Sequence, residues 1–559
     1  MRSKPIYGSN TSQYLPPMRL TSPCDRAKPL QPDHENIEPR GMHTSLKPGA
    51  PINDIPIELL SEIFLYAKAS GRPPIYNARW HHILRVCRHW FVVATGTPRL
   101  WSRILVRKGL SNLRNSLVRS QGVPLDICLL PYGIPRDSSL TFVVPIITPH
   151  IHRLQRIQLD IIPENQVTEA LAFLQAHSFP ILSALTACAT RTDPKQPLQL
   201  EPDRFPSLRE LRVAHLNVFS AAVTPQLTTL NVATYDGRGT SFDLDALLDV
   251  FVTLKNIENL TLSRIAVSNT TTPRPPRYPR VELVQLRSLT LVLHAPVLKR
   301  LLDDFIIPPS AKVTLQSFDS GVIDSYLPDD KSSLPILSKV TVARMHALAH
   351  EHFFEGSLAS SEDNLMLADS YVHLSVSPRE GARHPFSSIP PLTILKYTPQ
   401  VEVLHVKTSP SSSLEVSWWI ALSYIPRLQE LSISVAMVDG ELASPLDRIF
   451  TPFDATPHPM TWEAAQACPN PIMCPELRRL RLVGNWRWTD NVPDRIMSFL
   501  NKRREILEEE VVLEELSIDM YHEGWHGYFE ERKKMLEDAM SPFVARAVVV
   551  ADWSPEALE

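Results

Sequence analysis

Glycine is in short supply, 17 residues in a chain of 559, while proline is abundant at 51. Loops that cradle phosphates need glycine, because only a residue without a Cβ lets the backbone approach the ligand closely. The nearest such stretch, Gly237-Arg238-Gly239, lacks a third glycine. Nucleotide enzymes of that type are therefore disfavoured, and no cofactor is expected. The six cysteines stand at positions 24, 87, 128, 188, 468 and 474, with no CxxC pair. They form no disulfide framework and point to a reducing, intracellular compartment, cytoplasmic or nuclear. Long apolar runs are missing as well: FVVPIIT and ARAVVVA fall short of the roughly 18 residues a membrane span needs. Residues 1–30 hold Arg2, Lys4, Arg19 and several prolines without an apolar run, so no secretory signal is expected.

One further absence is local. Between Glu62 and Asp126 there is no acidic residue, yet eleven bases: Lys68, Arg72, Arg79, Arg85, Arg88, Arg99, Arg103, Arg107, Lys108, Arg114 and Arg119. The stretch carries +11 and leaves −14 for the rest of a chain whose net charge is −3. It reads either as a solvated basic face or as the footprint of an acidic partner.

What is present is ordinary for a soluble globular protein, with 43% hydrophobic and 21% charged residues. The length implies two or more domains or a long repeat array. Residues 1–49 are polar and proline-rich and are expected to be disordered, since they cannot bury enough apolar surface to offset ordering entropy. A helical module follows. NDIPIELLSEIFLYAKAS puts Pro56 in the first helical turn, where a missing N–H is tolerated. Leu59, Leu60, Ile63, Phe64 and Ala67 recur at helical spacing. After the breaker SGRPP, a second helix is expected, because Trp80, Ile83, Leu84, Cys87, Trp90, Phe91 and Ala94 form one broad apolar stripe. Gly96 and Pro98 end it, and Leu100 and Trp101 fold back. Cys87 and His89 raise the possibility of a thiolate with its base, or of two metal ligands. The periodicity instead puts Cys87 in the buried stripe, where free cysteine acts as a small hydrophobe.

From about residue 150 a pattern of apolar-x-x-apolar-x-apolar recurs. It is seen in LQRIQL at 154, LRELRV at 208, LTTLNV at 227, IENLTL at 257 and LRSLTL at 286, and again in LSKVTV at 337, LQELSI at 428, LRRLRL at 477 and LEELSI at 513. Each copy reads as a short strand whose alternate residues enter a core, followed by a loop or helix. Such units bury their apolar faces by stacking. Helices are expected between them at 243–255, 295–305 and 493–510.

IPIELLSEIF, VCRHW and TPRLW, in that order and ahead of a repeat region, resemble the F-box proteins of mushroom-forming fungi. LVRSQGVPLDICL fits the same pattern. The resemblance implies an α/β chain: a small all-α F-box over 50–108, a connecting helix and strand over 109–149, and an irregular leucine-rich-repeat-like α/β solenoid over 150–559, with insertions around 309–395. It implies binding to the Skp adaptor, and through it to cullin and RING subunits of a ubiquitin ligase, with the repeats holding a protein substrate. Adaptor contacts are then expected from Ile55, Pro56, Leu59, Leu60, Ile63 and Phe64, from Val86, Cys87 and Trp90, and from Leu100 and Trp101. The adaptor family is acidic, which gives the basic stretch a partner. No catalytic residue and no metal is expected. The chain departs from the family in two ways. The spacing from Phe64 to Val86 is longer than in the compact motif. The asparagine of the repeats is matched only by Asn485, with Leu216 and Ile265 in its place elsewhere.

Three competing signals are weaker. HEGWH at His522–His526 matches the zinc-peptidase pattern, in which Glu523 would activate water. It follows directly on a strand and includes Gly524, so the helix such a site needs is not expected. HALAHEH offers His346, His350 and His352, read as surface histidines because no cysteine or carboxylate cluster completes a site. The basic stretch could instead serve a nucleic-acid-binding or scaffold protein, but no reader motif accompanies it.

Overall fold

The computed structural model describes residues 55–69, 78–106, 110–129, 140–162, 164–189, 198–216, 225–234, 241–268, 280–318, 323–347, 352–358, 372–376, 391–408, 422, 424–435, 474–484, 492–508, 512–520 and 526–550. The expected disordered segment 1–49 lies outside these, as do Gly237, Asn485 and Cys468. The chain divides into two units, 1–59 and 60–559. Of the first, only residues 55–59 are described, and they include the start of helix α1, Ile57–Ala69.

The second unit is mixed α/β. Its centre is one 17-stranded, almost wholly parallel sheet. In chain order the strands are β1 Arg103–Val106, β2 Leu125–Leu129, β3 Leu154–Ile162, β4 Ala184–Ala189, β5 Glu210–Ala214 and β6 Thr229–Ala233. They continue with β7 Asn259–Ser263, β8 Ser288–Leu293, β9 Lys312–Ser317, β10 Val342–Ala347, β11 His352–Ser357 and β12 Val372–Val376. The last five are β13 Val403–Thr408, β14 Glu430–Val435, β15 Arg479–Gly484, β16 Leu513–Met520 and β17 Val544–Val550.

The repeated leucine pattern explains this sheet. The last two apolar positions of the copies that carry strands point inward and stack in register from strand to strand; in LSKVTV, Leu337–Lys339 is instead a 3-10 helix and Val342 opens β10. Leu211, Leu230, Leu260, Leu289 and Val313 form one such row, and Val213, Val232, Leu262, Leu291, Leu315 and Leu374 form the next. All are buried. In several copies the first apolar position lies in a tight turn ahead of the strand, whereas Leu154 and Leu513 themselves open β3 and β16. In that turn Leu208, Ile257, Leu286, Leu428 and Leu477 each donate a backbone N–H to the carbonyl three residues earlier, at 3.0–3.3 Å. Strand residues between the leucines face the other side and are half-exposed, as the alternating burial of β6, β7 and β8 records. A parallel sheet usually has both faces covered and near-continuous apolar strands. Here the alternation leaves one face polar.

Helices run between the strands: α3 Leu110–Arg119, α4 Leu140–Ile147, α5 Glu164–Ala176, α6 Leu244–Thr253, α7 Ala295–Asp304, α8 Val492–Leu507 and α9 His526–Met540. Leu247, Leu248 and Phe251 of α6 and Leu298, Leu301 and Leu302 of α7 enter the core. Arg503 of α8 is buried and donates to three carbonyls, those of Cys474, Pro475 and Leu477, at 2.9–3.0 Å. This fixes the turn that leads into β15.

The order of strands breaks in one place. β9 pairs with β12, β12 antiparallel with β11, β11 antiparallel with β10, and β10 parallel with β13. The chain thus skips two places, comes back, and fills the gap in reverse. Gly356 permits the return strand to lie close: a Cβ there would sit 2.8 and 3.0 Å from the two γ-carbons of Val340. Tyr326 ties the excursion down, its hydroxyl donating to the Ser375 carbonyl at 3.4 Å.

The expected second helix is not one helix. Ala78–Arg85 is a 3-10 helix, and α2 runs from Arg88 to Thr95. Cys87 lies between them in extended backbone (φ −158°, ψ 170°) and caps α2, its sulfur accepting the Trp90 N–H at 3.5 Å. The apolar stripe is therefore interrupted at Val86–Cys87. The buried residues of α2 are Val93 and Ala94, while Phe91 is exposed.

Candidate functional site

Two surfaces stand out among the described residues. The first belongs to the helical segment from Leu60 to Trp101. Its interior is complete: Leu60, Phe64, Trp80, Val93, Ala94, Leu100 and Trp101 are all buried. The Phe64 and Trp90 rings lie 5.0 Å apart, and Trp80 meets Trp101 edge-on at 5.1 Å. The Trp101 indole donates to the Ala94 carbonyl at 2.8 Å. Lys68 donates to the Leu100 carbonyl at 2.7 Å and lies over the Trp80 ring. Burial, and then the charge of Arg103, push the Lys68 ammonium down to about 8.

Of the residues the sequence singles out, Leu60, Phe64, Leu100 and Trp101 thus lie in this interior. Cys87 and Trp90 are half-buried, as is Ile55, and Pro56 is exposed. Leu59, Ile63 and Val86 stand outside, 58, 49 and 59% exposed. Tyr66, Phe91 and Val92 are exposed too, although the sequence pattern does not single them out for this role. One continuous helix would bury Phe91 in the stripe, and the break at Cys87 rotates it out.

The basic stretch is partly used within the chain. Arg99 pairs with Glu62 at 3.2 Å, Arg103 with Asp126 at 3.3 Å, and the Arg119 guanidinium lies 4.4 Å from the Trp101 ring centroid. Arg85, Arg88 and Arg114 are exposed. Two of these flank Val86 and Cys87.

The second surface lies on the polar face of the sheet, where the strand order reverses. Across β12, β11, β10 and β13 the register aligns His373, Glu355, Arg344 and His405. The adjacent row aligns Ser375, Phe353, His346 and Lys407. Glu355 is buried there. Its Oε1 lies 3.2 Å from His373 Nδ1, and its Oε2 lies 3.9 Å from Arg344 Nη1. The hydrogen bond from His373 holds the Glu355 carboxyl below its ordinary range, against the opposing effect of burial. His346 stacks on Phe353 at 3.9 Å. Burial, with Lys407 and Arg344 nearby, pushes its imidazole down to about 4.

This arrangement corrects the reading of HALAHEH. His346 and His352 occupy paired strands and opposite faces. His352 points inward and is buried, so it is not a surface histidine. His350 lies outside the described residues, as do His522 and Glu523, while His526 opens α9. Cys474 is buried, and that burial pushes its thiol up to about 12. Among the described residues, no group of three or more His, Cys, Asp or Glu side chains is placed to hold a metal ion, and no helix is long and apolar enough to cross a membrane.

No protein-family model matches the chain, and no curated protein matches it significantly.

Proposed function

We propose that the chain is the substrate receptor of a Skp–cullin–F-box ubiquitin ligase, without catalytic residues of its own. The observation that carries this reading is the set of large apolar side chains left outside a complete core. Ile63, Tyr66, Val86, Phe91 and Val92 stay exposed although Leu60, Phe64, Trp80, Leu100 and Trp101 already fill the interior. Apolar surface of this kind, beside exposed cations at Arg85 and Arg88, suits an acidic partner with an apolar groove. The region after it, read as an irregular leucine-rich-repeat-like solenoid, would hold the substrate. The recurring unit of turn and strand supports that reading. Holding substrate lysines near the ubiquitin-charged enzyme is catalysis by proximity. A nucleic-acid role is less well supported, since Lys68, Arg99, Arg103 and Arg119 are engaged within the chain.

The test is co-purification with a Skp adaptor. Ile63→Glu and Val86→Glu place a carboxylate on the exposed surface and leave the core untouched. Each is expected to reduce adaptor capture by about ten-fold or more while the thermal melt stays unchanged. Capture at the wild-type level by both folded variants would remove these residues from the interface. Trp90→Ala is a poorer probe, because Trp90 packs on Phe64.

A further inference from the structure

The carbonyls at the end of an α-helix have no partner within it. In α2 those of Val92, Val93 and Ala94 are met by side chains that follow. Thr95 Oγ1 donates to Val92 at 3.1 Å, Thr97 Oγ1 to Val93 at 2.7 Å, and the Trp101 indole to Ala94 at 2.8 Å. Thr97 also binds α1. A hydroxyl has one proton to give, and that of Thr97 is spent on Val93, so Ser61 Oγ is the donor in their 2.9 Å contact. The next residue of α1, Glu62, pairs with Arg99. Two adjacent ties thus join α1 to the stretch that brings Leu100 and Trp101 into the interior. Thr97 is half-buried, between exposed Gly96 and half-buried Pro98, with exposed Arg99 beyond. The proline confines it to extended backbone, and its φ of −102° and ψ of 96° are extended. A hydroxyl residue in extended chain, followed by proline and then by a cation, is what a proline-directed kinase reads. At the other described Ser-Pro and Thr-Pro steps, Thr148, Thr398 and Ser541, no arginine or lysine stands after the proline.

We propose that Thr97 is a phosphorylation site and that its modification opens the helical module and releases the adaptor, the release alone resting on the receptor reading. Thr97 Oγ1 attacks the γ-phosphorus of a nucleoside triphosphate held by the kinase. The new P–O bond forms as the bridge to the β-phosphate breaks, the hydroxyl proton passes to the kinase's base, and the diphosphate leaves. The product carries about −1.5 to −2 charges near neutral pH and has no O–H to donate. The Val93 carbonyl therefore loses its cap. A polyanion then stands at the negative end of α2, a placement that disrupts a helix end. Its bulk does not fit the 2.9 Å contact with Ser61, and Arg99, two residues on, is drawn from Glu62 toward the phosphoryl group. Both ties to α1 weaken together, and the end of α2 that carries Phe91 and Val92 is freed.

The experiment treats the full chain with a purified proline-directed serine/threonine kinase and ATP. Phosphates are mapped by mass spectrometry, and amide hydrogen exchange over 88–101 and capture by a Skp adaptor are measured before and after. Phosphate is expected at Thr97 in most chains, with exchange in that span faster by about ten-fold or more and capture lower by a similar factor. Thr97→Val keeps the shape without the hydroxyl and controls for phosphates placed elsewhere, with Thr97→Ala carried alongside in case the valine variant folds poorly. In each, exchange and capture are expected to be the same before and after treatment. Thr97→Ser keeps the acceptor and is expected to respond as the wild type does. A chain left unmodified at Thr97 while other sites fill, unchanged exchange once Thr97 is modified, or an equal response from Thr97→Val and Thr97→Ala would overturn the proposal. So would capture that survives modification of Thr97. An untreated chain that the adaptor does not capture, with the exchange response intact, overturns the receptor reading and leaves the opening of the module standing.

Discussion

Glu355 and His346 sit on one face of neighbouring strands, and their surroundings fix opposite charge states. Glu355 is kept ionised by the hydrogen bond from His373, and His346 is kept neutral by burial and by the cations Lys407 and Arg344. The pH consequence follows from linkage. In the unfolded chain His346 binds a proton near 6.5, and in the fold only near 4. Between those values the unfolded state takes up more protons, so stability rises with pH and is lost as the solution is acidified through that window. Glu355 adds its own loss only below its ordinary 4.5. His346→Gln is therefore expected to flatten the dependence of the urea midpoint on pH between 6.5 and 4, leaving the loss below 4.5 in place. An unchanged slope in that variant would assign the acid sensitivity elsewhere. Cys87 shows where residue-level reading stops. Its place in an apolar stripe is visible in the sequence, but its role as a helix cap is not, because caps are expected of Ser, Thr, Asp and Asn.

At the scale of elements, the leucine spacing alone makes about half of the 17 strands legible, and it misplaces one: in LSKVTV, Leu337–Lys339 is a 3-10 helix. All of LRELRV, LTTLNV, IENLTL, LRSLTL, LQELSI, LRRLRL and LEELSI carry strands, and the helices at 244–253, 295–304 and 492–507 lie close to their expected spans. The reversal of β10–β12 is not legible in that way. Its strands, VARMHA, HFFEGS and VHLSV, lack the leucine spacing, and only pairing partners reveal their order. The same holds for the charged cluster, whose members are far apart in sequence and meet only through cross-strand register. Gly356 is the element's tight point. Gly356→Ala presses a methyl against the Val340 side chain and is expected to destabilise by about 1–3 kcal/mol, as overpacking does. Pairing it with Val340→Ala opens the space, so the double variant is expected to lose less than the two single losses combined. Calorimetry or urea titration of the four proteins checks this, and strict additivity would place the strain elsewhere.

Across the whole sheet, only β1 and β17 lack a second partner strand among the described residues. Each inner strand is paired on both sides, so removing an end exposes a fresh edge. Ending the chain after Met520 removes α9 and β17, uncovers one edge of β16 from Leu513 to Asp519, and deletes the buried Leu536, Met540, Phe543 and Val544. The shortened protein is expected to keep the circular dichroism of the remaining sheet and to self-associate through the bared edge. Size-exclusion chromatography checks this, and a stable monomer would show that β16 closes the sheet by itself.

The reversal at β10–β12 also bears on how the molecule is made. From β1 to β9 every new strand finds its partner already in place, so the sheet can grow as the polypeptide leaves the ribosome. At Ser317 that growth halts. The next strand to be synthesised, β10, has no neighbour yet, and the open side of β9 waits for Val372–Val376 to arrive. Synthesis of this protein therefore contains an interval in which a half-built sheet stands with an unfilled margin. During that interval a chaperone has most to shield.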